Sequence, residues 1–259
     1  MLANKNAIVY GAGGAVGSGI AKAFAREGAT VFLTGRTQDT LDRLAKEIAE
    51  AGGAAEVAVV DALDETAVEE HAATVAARGG IHVSLNLANR GDVQGIPLVD
   101  MTTADFTRAI TTGVTTTFIT TRAAARHMTG QGSGVILALN SGSAQGSPML
   151  GSTGPADAAI DTYIRNLAVE VGPAGVRVLG IWAAGIPETL TRERVASVNS
   201  TMQLDDAALQ GILGHLDGLR ITRRSPSLAE VAEVAVFLAS DRSAGMTGTF
   251  TNVTQMFPS

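Results

Sequence analysis

The chain has 259 residues, 46% hydrophobic and 17% charged, with a formal net charge of −6. That length and mixture predict a globular α/β chain with a well-buried centre and exclude extended disorder. Its 19 basic and 25 acidic residues form no basic run able to follow a phosphate backbone, so nucleic acid is not an expected partner; the lack of cysteine excludes disulfides, thiolate nucleophiles and thiolate metal sites.

In chain order, the opening MLANKNAIVYGAGG reaches an apolar strand by residue 7, which leaves no space for a charged leader with a cleavage site. Glycines and Lys22 interrupt the apolar stretch from 7 to 25, so no membrane span is expected there, and the cytoplasm is the expected location. Strand-like runs follow at AIVY (7–10), TVFLT (30–34), AEVAVV (55–60), HVSLN (82–86), GVILALN (134–140), GVRVLGIW (175–182) and TFTNV (249–253), and helical patterns fill most of the gaps. This alternation predicts βαβ units: a Rossmann-type, doubly wound parallel sheet of about seven strands, with helices on both faces. No composition break divides residues 1–259, so a single dinucleotide-binding domain is expected. The one long interruption, at about 186–226, reads as a variable lid or substrate wall.

Between the first strand and its helix lies GAGGAVGSGIAKAFAREG. Glycines at 11, 13, 14 and 17 permit a tight turn that brings backbone N–H groups and a helix N-terminus against a pyrophosphate, although Val16 breaks the strict G-x-G-x-x-G spacing. Gly11, Gly14, Val16 and Gly17 are therefore candidate cofactor residues. After the second strand, TGRT offers Arg36 and no carboxylate before Asp39. An acidic residue there would take the ribose hydroxyls of NAD, whereas Arg36 suits the 2′-phosphate of NADP(H); NADP(H) is thus favoured over NAD(H).

With these motifs the chain resembles the short-chain dehydrogenase/reductase family over nearly its whole length. Gly11, Ala15 and Gly17 fall on that family's G-x-x-x-G-x-G, with alanine at the middle glycine. The resemblance implies that Asp61 of VVDALD holds the adenine amino group. It places NLAN (86–89) where Asn-Asn-Ala-Gly is usual, so that Asn86 and Ala88 fit while Leu87 and Asn89 depart. In AAGIPET, Ala184 replaces a proline, and Gly185, Ile186 and Thr189 are implied cofactor contacts. The helices beginning near 102 and 155 correspond to those that pair between subunits, implying a homodimer or homotetramer.

The family's catalytic set does not carry over. Counting back from LAVE, Thr153 stands at the tyrosine position and Asp157 at the lysine position of Tyr-x-x-x-Lys, and Gly113 stands where an asparagine is usual. Ser141 of LNSGS is the surviving catalytic candidate. A tyrosine protonates a carbonyl because a neighbouring ammonium lowers its pKa; a threonine alcohol is far too weak an acid, and an aspartate reverses the local field. Tyr163 lies ten residues further along the helix from Thr153, roughly 15 Å by helical rise. Lysine occurs only at 5, 22 and 46, and Arg165 and Arg177 read as helix-surface and loop charges. His71, in a surface-type helix, His82 and His127 read as ordinary polar positions, their spacing suggesting no metal site, while His215 within 186–226 is the remaining candidate proton donor.

Three functions follow as expectations. The first is an NADP(H)-dependent oxidoreductase of a small-molecule substrate with a non-standard proton donor. The second is a dinucleotide-binding or regulatory protein without turnover. The third is a non-redox enzyme on the same fold.

Overall fold

The computed structural model describes residues 1–199 and 204–255. Seven strands, β1 (Asn6–Tyr10), β2 (Thr30–Gly35), β3 (Ala54–Val59), β4 (Val83–Asn86), β5 (Gly134–Asn140), β6 (Val176–Trp182) and β7 (Phe250–Asn252), form one sheet. Its order is β3-β2-β1-β4-β5-β6-β7 and every pairing is parallel. The expected strand limits agree with these bounds to within one residue at each end.

Because side chains alternate across a strand, each strand feeds two cores. Ala7 and Val9 enter one, with Phe24 of α1 (Ala15–Arg26), Leu41 and Leu44 of α2 (Gln38–Glu50), and Val231 and Val236 of α8 (Leu228–Ala239). Ile8 and Tyr10 enter the other, with Val68 of α3 (Glu65–Ala76), Ile119 and Met128 of α4 (Thr103–Gln131), and Ile160 and Ile164 of α5 (Thr153–Val171). The sheet is thus covered on both faces, as a wholly parallel sheet requires.

The winding reverses between β1 and β4, which are paired with Tyr10 beside Asn86. Connections leave in opposite directions there, and a crevice opens beyond the strand ends. The 186–226 interruption, of which residues 200–203 lie outside the described residues, holds a single turn at Pro187–Thr189, α6 (Arg192–Val198) and α7 (Asp206–Leu219). Arg220 fastens its far end to the sheet, donating to the Thr254 carbonyl at 2.7 Å and the Ala184 carbonyl at 2.9 Å. Burial lowers this guanidinium to about 10, with Asp217 opposing the shift. Among the described residues no helix is long and apolar enough to cross a membrane.

Candidate functional site

The crevice contains a cleft of about 280 Å³ lined by Gly11, Gly13, Gly14, Arg36, Asp61, Ala88 and Asn89, among others. Its floor depends on two glycines. Gly11 has φ +75°, and a Cβ there would fall on the Leu87 carbonyl; a Cβ at Gly17 would fall on the Gly11 carbonyl. Only bare backbone lets the turn and α1 approach β4 this closely. Gly14 occupies the N-cap of α1 with no side-chain cap, so the first-turn N–H groups stay open toward the cleft. These features fit the pyrophosphate of a dinucleotide.

Of the residues expected to touch cofactor, Gly11, Gly14, Arg36, Asp61 and Ala88 line this one cleft. The Asp61 carboxylate accepts from the Leu63 N–H at 3.0 Å, which fixes its orientation. Val16, Gly17 and Asn86 stand behind the lining. Val16 packs on the core, and Asn86 braces the strand end, accepting from the Ala88 N–H at 3.0 Å and donating to the Thr116 and Thr117 hydroxyls at 3.3 Å. Gly185, Ile186 and Thr189 lie outside this cleft, at the C-terminal end of β6. Gly185 adopts φ +64°, Ile186 is buried in the core, and the Thr189 hydroxyl donates to the Ile186 carbonyl at 2.9 Å.

Next to the cleft, the positions that the sequence assigns to catalysis form one ionic cluster. Asp157 is 0% exposed. It accepts from Arg90 Nη1 at 2.7 Å, the Ser141 hydroxyl at 2.6 Å, and the Ser141 and Ser143 backbone N–H groups, both at 3.1 Å. Arg90 also reaches Asp92, through Nε at 3.3 Å and Nη2 at 3.0 Å. Asp92 in turn accepts the Thr153 hydroxyl at 2.8 Å, and the Gln94 amide donates to Thr153 Oγ1 at 3.1 Å. Burial works against the charge on Arg90, but the Asp92 and Asp157 carboxylates outweigh it and hold the guanidinium above the ordinary arginine range. Gly113 makes room for this: a Cβ there would lie 2.6 Å from Arg90 Cδ.

The cluster corrects the expected field around Asp157. No lysine is near, yet a cation is: Arg90, Asp92 and Gln94, on the loop after β4, are the participants that sequence reasoning missed. A usable signal was present, because an aspartate at a buried helix position requires a cationic partner and R-x-D follows NLAN directly.

Ser141 keeps its expected place at the end of β5, but its proton goes to Asp157 and it accepts from Ser143 Oγ at 2.6 Å. His215, the other proton-donor candidate, lies on α7. Its neighbour Leu216 comes within 3.5 Å of a Cβ placed at Gly185, while His215 itself is exposed. His71 also departs from its surface reading: its ring packs edge-on against Tyr10 and Phe32, and burial lowers its pKa. Arg177 is a strand residue of β6, not a loop charge, donating to the Ser243, Leu238 and Ser240 carbonyls at 3.0–3.2 Å. Tyr163 bonds the Thr121 hydroxyl at 2.7 Å and borders a separate groove between α4 and α5. Among the described residues no group of three or more His, Cys, Asp or Glu side chains could hold a metal ion.

A parallel sheet wound in this order, with a glycine-bounded crevice at its reversal, defines a Rossmann-type α/β protein. A family model described as enoyl-(acyl carrier protein) reductase matches residues 11–255, and the chain belongs to the short-chain dehydrogenase/reductase family of oxidoreductases. L-rhamnose 1-dehydrogenase (NAD(P)(+)) of Azotobacter vinelandii is 30% identical to it, over 96% of this chain and 94% of that protein. Among solved structures, NAD+-bound xylitol dehydrogenase superposes with a TM-score of 0.86 at 25% identity, covering 98% of this chain and 99% of that one. A 7α-hydroxysteroid dehydrogenase complexed with NADH and 7-oxo glycochenodeoxycholic acid gives 0.83 at 27% identity, covering 99% and 95%.

Proposed function

We propose that this protein is an NADP(H)-preferring oxidoreductase of a small-molecule substrate whose acceptor site has exchanged the family's proton relay for an Arg90-centred ionic cluster. The observation that carries the reading is the convergence of Gly11, Gly14, Arg36, Asp61 and Ala88 on one cleft in a chain of this family. In it, the open N-terminus of α1 would hold the pyrophosphate, Asp61 the adenine, and Arg36 a 2′-phosphate. Gly185, Ile186 and Thr189 at the end of β6 would hold the remainder. The bound nicotinamide supplies hydride chemistry; the chain's own residues orient the acceptor and set the charge around it. Thr153 and Asp157 do not act as a tyrosine and lysine would, since one gives its proton to Asp92 and the other is enclosed by four donors.

A second reading, a dinucleotide-binding or regulatory protein without turnover, draws on that same commitment of Thr153. Titrations with NADPH and NADH followed by nicotinamide fluorescence test the cofactor site that both readings share, and oxidation of NADPH by an acceptor separates them. NADPH-preferring binding that weakens about tenfold to a hundredfold in Arg36→Ala, with NADH little changed, is the expected result. Binding without oxidation of NADPH across a broad acceptor panel would favour the second reading. Failure to bind either cofactor at millimolar concentration would overturn both.

The proposed assembly is a homodimer or homotetramer paired through α4 and α5, in the cytoplasm. Its support is a groove of about 470 Å³ bordered by Phe118, Arg122, Tyr163 and Leu167, with Phe118 43% exposed and Val169 of α5 78% exposed.

A further inference from the structure

The proposed cofactor has two anchorages on this chain, and the sheet order fixes what lies between them. Its pyrophosphate would sit at the N-terminus of α1, after β1, and its far end at residues 185–189, after β6. In the order β1-β4-β5-β6 these are three strand spacings apart, roughly 14 Å. The dinucleotide therefore crosses the C-terminal ends of β4 and β5. Its second ribose, between the pyrophosphate and the nicotinamide, makes that crossing, and hydroxyls taken out of water there need polar partners.

Most polar side chains along this route are already committed. At the end of β5, Asn140 donates to Asp161 at 2.6 Å and accepts from the Gly142 N–H at 3.1 Å, and the Ser141 hydroxyl is shared between Asp157 and Ser143. After β4, Asn86 is spent on the Ala88 N–H and the α4 threonines, and Leu87 and Ala88 carry no polar group. Among the hydroxyls of the cleft wall, the Tyr10 oxygen is sealed from solvent and Thr116 donates to the Gly113 carbonyl at 3.3 Å. Asn89 and Thr112 remain.

Asn89 is exposed on the cleft, on the loop that leaves β4. Its Oδ1 accepts the Gly91 N–H at 3.0 Å, closing a short turn in which Gly91 has φ +72°. Because the amide is planar, fixing the oxygen also fixes the nitrogen, and Nδ2 keeps both N–H groups without a partner among the described residues. The loop is held on either side: the Ala88 N–H donates to Asn86 at 3.0 Å, and Arg90 is gripped by Asp157 at 2.7 Å and Asp92 at 3.0 Å. A glycine, usual at this position in the family, would offer no such donor.

Resting on the oxidoreductase reading above, we propose that Asn89 is a cofactor-binding residue specific to the second ribose: Nδ2 donates to a ribose hydroxyl while Oδ1 stays on the Gly91 N–H. That sugar carries the nicotinamide, so the bond orients the ring over the ends of β4 and β5. Thr153 and Asp157, which stand nearby on α5, are closed into the Arg90 cluster and leave this task to the loop. Arg90 contributes as an anchor that keeps the loop, and with it the Asn89 amide, in place.

The test uses two ligands that differ only in the second ribose, 2′-phospho-ADP and 2′-phospho-ADP-ribose, titrated calorimetrically into the full chain. The wild type should bind the ribose-bearing ligand more tightly, by at least about threefold. Asn89→Asp keeps the acceptor for Gly91 and removes the N–H groups; Asn89→Ser keeps a shorter acceptor and adds no charge. Both variants should shrink the ratio of the two affinities about three- to tenfold, with 2′-phospho-ADP changed less than about twofold in Asn89→Ser. Taking the ratio cancels the repulsion that the new aspartate exerts on phosphates common to both ligands. Thr112→Val should leave the ratio as it is, and an unchanged melting temperature in the Asn89 variants should show that the turn survives.

Equal binding of the two ligands by the wild type would overturn the proposal, as would a ratio preserved in both Asn89 variants or a ratio lost in Thr112→Val alone. Equal weakening of both ligands in Asn89→Ser, the result of a merely structural role for the turn, would overturn it too; each of these outcomes leaves the oxidoreductase reading standing. If the 2′-phosphate preference fails, ADP and ADP-ribose read the same ratio. Failure of NADPH and NADH to bind, measured beforehand, would remove the oxidoreductase reading and this inference together.

Discussion

Gly113 and Arg90 depend on each other. The arginine stem crosses the position where any Cβ would collide with it, and its head neutralises a carboxylate with no exposed surface. Removing one partner of a buried ion pair costs more than the pair contributes, because the other charge is left stranded. Arg90→Met should therefore destabilise the fold by about 3–5 kcal/mol in urea unfolding. Because Arg90 also pairs with the buried Asp92, Arg90→Met with Asp92→Asn should be more stable than Arg90→Met alone, and a double variant that loses the sum of the two single losses would refute the pairing argument. Asp161, one turn beyond Asp157, gives a pH-dependent case. Burial raises its pKa, against hydrogen bonds from Asn140 at 2.6 Å and Trp182 at 3.4 Å. A carboxyl with a raised folded pKa favours the fold below its unfolded pKa, and that contribution is lost as pH rises through the folded value. Asp161→Asn keeps the acceptor oxygen without the charge, so its stability should match the wild type near pH 3 and exceed it near pH 7. Chemical denaturation at the two pH values checks the sign.

Element boundaries follow local chemistry closely. Helix α4 begins where the Thr102 hydroxyl accepts the Asp105 N–H at 3.1 Å and ends at Gly132 with φ +77°, as capping rules require. Helix α8 begins with a full capping box: the Ser227 hydroxyl accepts from the Glu230 N–H at 3.2 Å and the Glu230 carboxylate accepts from the Ser227 N–H at 2.8 Å. The Arg224 side chain and the Ser227 N–H hold Glu230 at about 2, well below the usual carboxylate range. A depressed carboxylate pKa gives stability that is present above the unfolded value, near 4.3, and is lost as pH falls toward the folded one. Glu230→Gln should therefore reduce stability at pH 7 and flatten its acid dependence between about pH 4.5 and 2. Because Glu230 lies near the surface, the effect should be no larger than about 1 kcal/mol. An unchanged acid limb in melts across that range would remove the box from the account of α8.

At the scale of the whole molecule, the two cores occupy opposite faces of the sheet, and the exposed Phe118 and Val169 lie on the helices α4 and α5. Phe118 stacks edge-on with Tyr163 at 6.0 Å, and the Arg122 guanidinium lies 4.8 Å from its ring centre. If the proposed pairing uses this face, Phe118→Glu should convert the assembly to monomer in analytical ultracentrifugation while leaving the far-ultraviolet spectrum unchanged. A wild-type protein that is already monomeric would overturn the assembly proposal.

The sheet and its helices were legible in the sequence because both depend on short-range rules: the period of apolar residues, the glycines that a strand-to-helix turn needs, and the caps that end a helix. The crevice was legible for the same reason, since Gly11, Gly14 and Arg36 sit within two successive strand ends. The sequence alone also determined that no tyrosine or lysine stands at positions 153 and 157. What occupies that space was decided only by tertiary structure. Arg90, Gly113, Ser141 and Asp157 lie on four segments separated by tens of residues, and their distances become meaningful once β4, α4, β5 and α5 are packed together. Whether an aspartate is an open base or a sealed anchor depends on solvent access and on which donors reach it, and neither quantity is encoded in residue spacing along the chain.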